Sequence, residues 1–281
     1  MLNWRKRQAT SGFNRSCEMS SDAIVSRVLA LVNREVEFDA LGALIFSLRP
    51  EQSTVPLEET AIAFDTNVLL RLSNHARGAD IVDFLRTSHD GPLILPGQVI
   101  QEFWNNQFQA VDSLSSSIRK KFEALKSEIS KVDESFGSFS DRFAALLDDF
   151  SGSFGYIYDE ATFRRVHTLL DVMKAKALVP YAPRAVFSRS AALRKVTGTP
   201  PGFKDERDGD FFVWVDLLVG LQRAAVGGSQ FKRVVLISHD RKIDWSREGT
   251  PHPILIAEMR ALTGASFEIW SIDKLAKELL D

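Results

Sequence analysis

The chain predicts an α/β sandwich carrying a long helical insertion, on three observations. Short apolar runs, AIAF at 61–64, PLIL at 92–95, RVVLI at 233–237 and SFEIW at 266–270, alternate with helical patterns at both ends of the chain. Between the second and third runs lies a long stretch whose periodicity is helical only. Acidic residues gather where the apolar runs stop or the next helices begin: Asp65, Glu102, Asp210 and Asp240. Strands alternating with helices imply parallel pairing, and ligands of a parallel sheet bind beyond the carboxyl ends of its strands.

The elements follow in order. Residues 1–20 are polar and basic. Residues 22–48 read as one helix, capped by Ser21-Asp22, with Ile24, Val28, Leu31, Val32 and Val36 on its apolar face. Prolines 50 and 56 close this region. Ala61–Phe64 is a buried strand, followed by Asp65 and a helix. Ile81–Thr87 is a second helix and Pro92–Leu95 a second strand, which Pro96 stops before a helix from Gln98 onward. Phe108, Val111, Leu114, Ile118, Phe122, Leu125, Ile129, Val132 and Phe136 then form a heptad-like stripe. It predicts a long helix hairpinned on a second one at Asp141–Phe150 or Asp159–Leu178, with self-association through the stripe as the minority reading. The segment 179–204 reads as loop or short helices, and Asp210–Leu221 as a helix. Arg233–Ile237 is a strand, Pro253–Thr263 a helix, Ser266–Trp270 a strand and Ile272–Leu280 a closing helix.

Composition narrows the class. With 281 residues, 44% hydrophobic content and 20 Phe, the chain has material for a large core. Its one cysteine, Cys17, excludes an internal disulfide and a multi-cysteine zinc site and fits a reducing compartment. His75, His89, His167 and His252 have no metal-ligand spacing. The apolar N-terminal stretch is broken by Arg27, Arg34, Glu35, Glu37 and Asp39, so no membrane span or signal segment is expected, and the location expected is cytoplasmic. Net charge is −2, but its distribution is uneven. Arg5, Lys6, Arg7 and Arg15 cluster without an acid, as do Lys174, Lys176, Arg184, Arg189, Arg194, Lys195 and Lys204. Such runs are either solvated faces or surfaces that follow a phosphate backbone.

The four acids are the chemical signal. Each has an ordinary explanation, as a helix cap, a dipole-compensating residue or a turn. Together they converge on one edge of the sheet, where each like-charge pair at about 5 Å costs on the order of 3 kcal/mol at an effective dielectric of 20. A divalent cation removes that cost, and carboxylate oxygens suit hard cations.

FDTNVLL, with Asp65 and Asn67, resembles the first motif of the PIN-domain nucleases. The Glu102 helix after LILP resembles their second, Asp210 at a helix start their third, and LISHD with Asp240 their fourth. PPGFKDERDGDFFVW and HDRKIDW resemble the PIN-like branch known as the DUF4935 type, and the resemblance spans about residues 60–275. It implies a three-layer sandwich around a parallel sheet of four to five strands. The corresponding organisation is an N-terminal basic and helical extension, 1–58, before a nuclease domain, 59–281, with its insertion at about 107–200. The implied activity is Mg²⁺- or Mn²⁺-dependent hydrolysis of phosphodiester bonds, with RNA favoured over DNA and a toxin or defence role open. Asp65, Glu102, Asp210 and Asp240 are the implied catalytic and metal-holding set, with Asp208 or Asp205 as alternatives to Asp210. Asn67 and Ser238 would orient them, and Lys204, Arg207, Arg241 and Lys242 would contact phosphate. His239 precedes Asp240 where the branch often has another Asp. The insertion or the N-terminal region would serve a protein partner or a second copy.

Two other readings compete. A haloacid-dehalogenase-like phosphatase also begins with an Asp after a strand, but its second acid would fall at Asn67, which cannot supply a proton as a carboxylic acid does. A non-catalytic module binding nucleic acid or protein would use the apolar stripe and the basic segment.

Overall fold

The computed structural model of the protein describes residues 20–49, 54–105, 160–239 and 242–279, with scattered helical residues between 121 and 146. At its centre is a sheet of five parallel strands: β1 (Ala61–Phe64), β2 (Leu93–Ile94), β3 (Ala177–Leu178), β4 (Arg233–Ile237) and β7 (Ser266–Trp270). β5 (Ser246–Arg247) and β6 (Thr250–Pro251) form a separate antiparallel hairpin, turned by Glu248 and Gly249, both at positive φ. The order of the large sheet is β3-β2-β1-β4-β7. The chain therefore steps outward from β1 to β3, then returns to the other side of β1. That reversal parts the connections above β1 and β4 and opens a crevice at their carboxyl ends.

β1 and β4 are buried at every position. Central strands of a parallel sheet are covered on both faces, which is why they read as unbroken apolar runs. On one face, α3 (Thr66–Asn74), α4 (Gly78–Thr87), α6 (Glu160–Lys176) and α10 (Ile272–Glu278) pack together. On the other, α1 (Ser21–Val32), α8 (Gly209–Val226) and α9 (Pro253–Thr263) pack together, joined by α2 (Ala40–Leu48) against α9 and α7 (Arg184–Val196) against α1. A further helix, α5, runs through residues 97–105. The result is the expected α/β sandwich, with five strands in its central sheet.

Several sequence expectations change. The single helix over 22–48 is two helices. Arg34 takes a positive φ of 62° after α1, and Asp39 starts α2 by accepting a hydrogen bond from the Gly42 N–H at 2.7 Å. Val36 falls in the break and is 41% exposed, so it leaves the apolar face. Ile24, Val28, Leu31 and Val32 of α1 join the main core. The helix read over 159–178 ends earlier, because Ala177 and Leu178 pair with Leu93 and Ile94 as β3. The segment read as loop or short helices contains α7, thirteen residues long. The 108–136 stripe lies for the most part outside the described residues, as do Cys17 and the basic N-terminal cluster.

The cationic run over 174–204 is not one solvated face. Arg194 is 3% exposed and pairs with the fully buried Glu258 at 2.8 Å, while Trp214 Nε1 donates to the same carboxylate at 2.8 Å. Two charges removed from water are tolerated there because each is met by the other and by further hydrogen bonds. Arg184 pairs with Asp216, Lys195 with Asp208, and Lys176 donates to the His89 carbonyl. Four cations of the run thus serve acids or carbonyls of the chain itself, while Lys174, Arg189 and Lys204 are exposed.

His89 is buried, and its ring donates through Nε2 to the Thr60 carbonyl at 2.8 Å, leaving Nδ1 without a partner. Burial lowers its pKa, and Lys176 lowers it further, against the opposing pull of Thr60, Asp90 and Glu58. The unfolded chain therefore takes up a proton near pH 6.5 that the folded ring resists. His89 contributes stability above that pH and loses it as pH falls toward the lowered folded value. His89→Gln retains a side-chain N–H donor. Thermal denaturation followed by circular dichroism at pH 5, 6 and 7 should show the wild type losing more stability on acidification than this variant.

Candidate active site

The site is built outward from the ends of β1 and β4. Their parallel register continues past the strands, with the Asp65 N–H donating to the Ile237 carbonyl and the Ser238 N–H to the Trp270 carbonyl, both at 2.9 Å. Asp65 and Ser238 are thereby set side by side, and the Ser238 hydroxyl donates to Asp65 Oδ2 at 2.7 Å. Asp65 also caps α3, its Oδ1 accepting from the Thr66 N–H at 2.6 Å. The capping function read from sequence and the site position are thus the same residue. Asn67 is exposed in the first turn of α3.

Glu102 lies on α5, which follows β2 across Pro96. Its Oε2 accepts from the Thr66 hydroxyl and its Oε1 from Gln98 Nε2, both at 2.9 Å. Thr66 therefore links the Asp65 turn to Glu102. Gly209, the first residue of α8, packs directly on Glu102: a Cβ at this position would collide with Oε1. Glycine allows this close approach of the start of α8 to the Glu102 carboxylate, which a side chain here would have to displace.

Asp210 follows immediately. Its Oδ2 accepts from Lys242 Nζ at 2.9 Å and from Trp245 Nε1 at 2.8 Å. Lys242 also reaches Asp205 Oδ2 at 2.7 Å, so one ammonium lies between two carboxylates. Burial is the largest influence on Asp210 and pushes its carboxyl up to about 7; Asp205 adds to the rise, while Lys242 and Trp245 oppose it. Burial also works to raise Asp205, but hydrogen bonds from Lys242 and Asp210 outweigh it and hold that carboxyl below its ordinary value. The two carboxyls are thus pushed apart, Asp210 upward and Asp205 downward. Asp208 turns instead to Lys195, at 2.8 Å.

The expected phosphate contacts divide. Lys242 is engaged by the two aspartates, Arg207 is exposed beside them, and Lys204 is exposed with its ammonium 5.9 Å from the Phe203 ring centroid. Asp240 and Arg241 lie outside the described residues. Among the described residues, no group of three or more His, Cys, Asp or Glu side chains is arranged to hold a metal ion. Asp65 and Glu102 nonetheless offer carboxylate oxygens, the chemistry hard cations prefer, and Gly209 keeps the space at Glu102 free of a side chain.

Sequence reasoning missed the support beneath α5. Asp216, fully buried in α8, accepts from the Gln98 N–H at 2.9 Å and the Ala182 N–H at 2.8 Å. Its two oxygens also bind Arg184 Nη1 and Nη2 at 2.7 and 2.9 Å. Burial works against the Arg184 charge, but the Asp216 carboxylate outweighs it and raises the guanidinium pKa. The signal was legible: one acid inside FFVWVDLLVG, an otherwise apolar helix, must be paired if it is buried.

The fold and site define an α/β protein with acidic side chains above the strand-order reversal of a parallel sheet. The model of a family described as "PIN like domain" matches residues 61–146, a segment that includes Asp65 and Glu102. The match supports the PIN-like superfamily, a nuclease-type group, and leaves Asp210 and Asp240 beyond its boundary. No curated protein and no solved structure matches the chain. No helix among the described residues is long and apolar enough to cross a membrane.

Asp216→Asn keeps the size of the side chain but replaces one acceptor with a donor facing N–H groups. Urea denaturation should show a loss of about 2–3 kcal/mol, the scale of hydrogen bonds to a charged group, with an unchanged slope.

Proposed function

We propose that the protein is a metal-dependent nuclease that hydrolyses phosphodiester bonds, with RNA as the favoured substrate. The observation that carries this reading is the joining of Asp65, Thr66, Glu102 and Gly209 into one contact chain that leads to Asp210, above the β1–β4 reversal. The PIN like domain match over the first two acids supports it independently. The third and fourth motifs, FKDERDGD and HDRKIDW, support the DUF4935-type branch by resemblance. RNA rests on that family resemblance, and a cytoplasmic location on the single cysteine.

Asp65, Glu102, Asp210 and Asp240 would hold one or two Mg²⁺ or Mn²⁺ ions, which when bound supply a Lewis acid and acidify water for hydrolysis. The chain's own residues do the rest. Ser238 and Thr66 donate hydroxyl hydrogen bonds that fix Asp65 and Glu102 in position. Lys242 lies between Asp205 and Asp210 and offsets part of their mutual repulsion. Lys242, held between these acids, would be one of the phosphate contacts of this reading. Arg207 and Lys204, both exposed, are the other phosphate contacts of this reading.

One observation favours a second reading, a nucleic-acid-binding module without catalysis. Lys242 already serves Asp205 and Asp210 as a counter-ion. A cleavage assay on labelled single- and double-stranded RNA and DNA separates the two. The nuclease reading expects cleavage with Mg²⁺ or Mn²⁺, its loss in EDTA and its return when the ion is restored. Asp65→Asn should reduce cleavage to background while the thermal midpoint stays near that of the wild type. Cleavage that persists in Asp65→Asn or in EDTA sinks this reading.

A further inference from the structure

Beside Glu102 the molecule has a cleft of about 790 Å³, within the size range of small-molecule sites. Glu102, Asp205, Glu206, Asp208 and Asp210 line it, so it is continuous with the acidic site, and it adds groups of another kind. One wall is α5, where Gln98, Gln101 and Asn105 share with Glu102 the face set by a spacing of three and four residues. Gln98 is fully occupied, its Nε2 on Glu102 and its Oε1 accepting from Arg184 at 3.3 Å. Gln101 uses only Oε1, which accepts from the Tyr181 hydroxyl at 2.9 Å. Among the described residues its Nε2 and the Asn105 amide have no hydrogen-bond partner. Amides of this kind match the mixed donors and acceptors along the edge of a nucleobase.

Tyr181 contributes the other wall. It is 51% exposed, yet it is held on several sides. Gly97 packs so closely under its ring that a Cβ there would collide with Tyr181 Cδ2. The Arg184 guanidinium lies 4.1 Å from its centroid, and the same group lies 4.5 Å from the Phe212 centroid. Arg184 is in turn fixed by both oxygens of the buried Asp216. An exposed aromatic ring is normally a free rotor; this one is tied to a buried carboxylate through a stacked arginine. A pre-positioned ring loses little freedom when a planar ligand stacks on it. The acids that also line the cleft are partly offset, Asp205 by Lys242 and Asp208 by Lys195, and the exposed Arg207 lines it too.

We propose that this cleft is a nucleobase subsite, in which Tyr181 stacks a base adjacent to the scissile phosphodiester and the Gln101 and Asn105 amides bind its edge. The position of the phosphodiester rests on the nuclease reading above; the subsite itself does not. Arg184 and Asp216 are positioning residues that hold the ring. The subsite makes recognition depend on an unstacked base, and not on backbone charge alone.

The test is fluorescence anisotropy of short labelled single-stranded RNA and DNA homopolymers on the full chain in EDTA, with matched strands carrying abasic positions. Tyr181→Ala should weaken binding about tenfold, the scale of one lost base stack. Tyr181→Phe should bind like the wild type, and Gln101→Ala should alter the ranking of the homopolymers. Abasic strands should bind the wild type no better than Tyr181→Ala binds intact ones. Equal binding by wild type and Tyr181→Ala, equal binding of intact and abasic strands, or no binding of any strand would each overturn the subsite. Cleavage assays on the same proteins keep the two ideas apart. Cleavage with no Tyr181 effect on binding overturns the subsite and spares the nuclease; a Tyr181 effect on binding with no cleavage by the wild type does the reverse.

Discussion

The parallel pairing of β1 with β4 is the constraint on which the site depends. Ala61 to Phe64 lie opposite Val234 to Ile237, one for one, with both strands buried throughout. A slip of one residue would turn every side chain to the other face of the sheet, so the buried apolar pattern defends this register strongly. Because β2 and β3 lie to one side of β1 and β7 lies beyond β4, the chain reverses between these two strands. The residues just past their ends, Asp65 and Ser238, are then neighbours by geometry. Their hydrogen bond at 2.7 Å follows from sheet order, not from any feature near either residue in sequence.

A second constraint holds the opposite wall. Asp216 places a full negative charge inside the core, which is tolerable only because two backbone N–H groups and a bidentate arginine meet it. Those partners come from the start of α5, the chain after β3 and the start of α7. One buried carboxylate thus orients the helix that carries Glu102 and the arginine that braces Tyr181. Gly209, seven residues before Asp216 and at the head of the same α8, sets the distance to Glu102. Stability and site geometry rest on the same helix, so changes in its interior would be felt at the carboxylates.

Charge in this molecule is managed by pairing inward. Arg194 with Glu258, Arg184 with Asp216 and Lys242 with Asp205 and Asp210 are all cations near acids they were not close to in sequence. A net charge of −2 conceals this arrangement, and so does a count of basic residues along the chain. Asp210, lifted to about 7 by burial, is where that management is most finely balanced, since Lys242 and Trp245 both donate to one of its oxygens while Asp205 shares the lysine.

What the amino-acid sequence determined by itself was local and periodic. The apolar runs at 61–64, 233–237 and 266–270 became strands, and the proline start at 253 became the first residue of a helix, because burial patterns and proline geometry act over a few residues. Asp65, Glu102 and Asp210 could be singled out because each follows a strand or begins a helix. Tertiary structure alone decided the rest. It recruited Ala177–Leu178 as an edge strand too short to have a pattern, and split 22–48 at Arg34, where no proline or glycine marks a break. It also gave Asp205, Asp208 and Asp210 different partners, sending Asp208 to Lys195 and joining the other two through Lys242. Those outcomes depend on contacts between residues far apart in the chain, whose energies appear only once the sheet order brings them together.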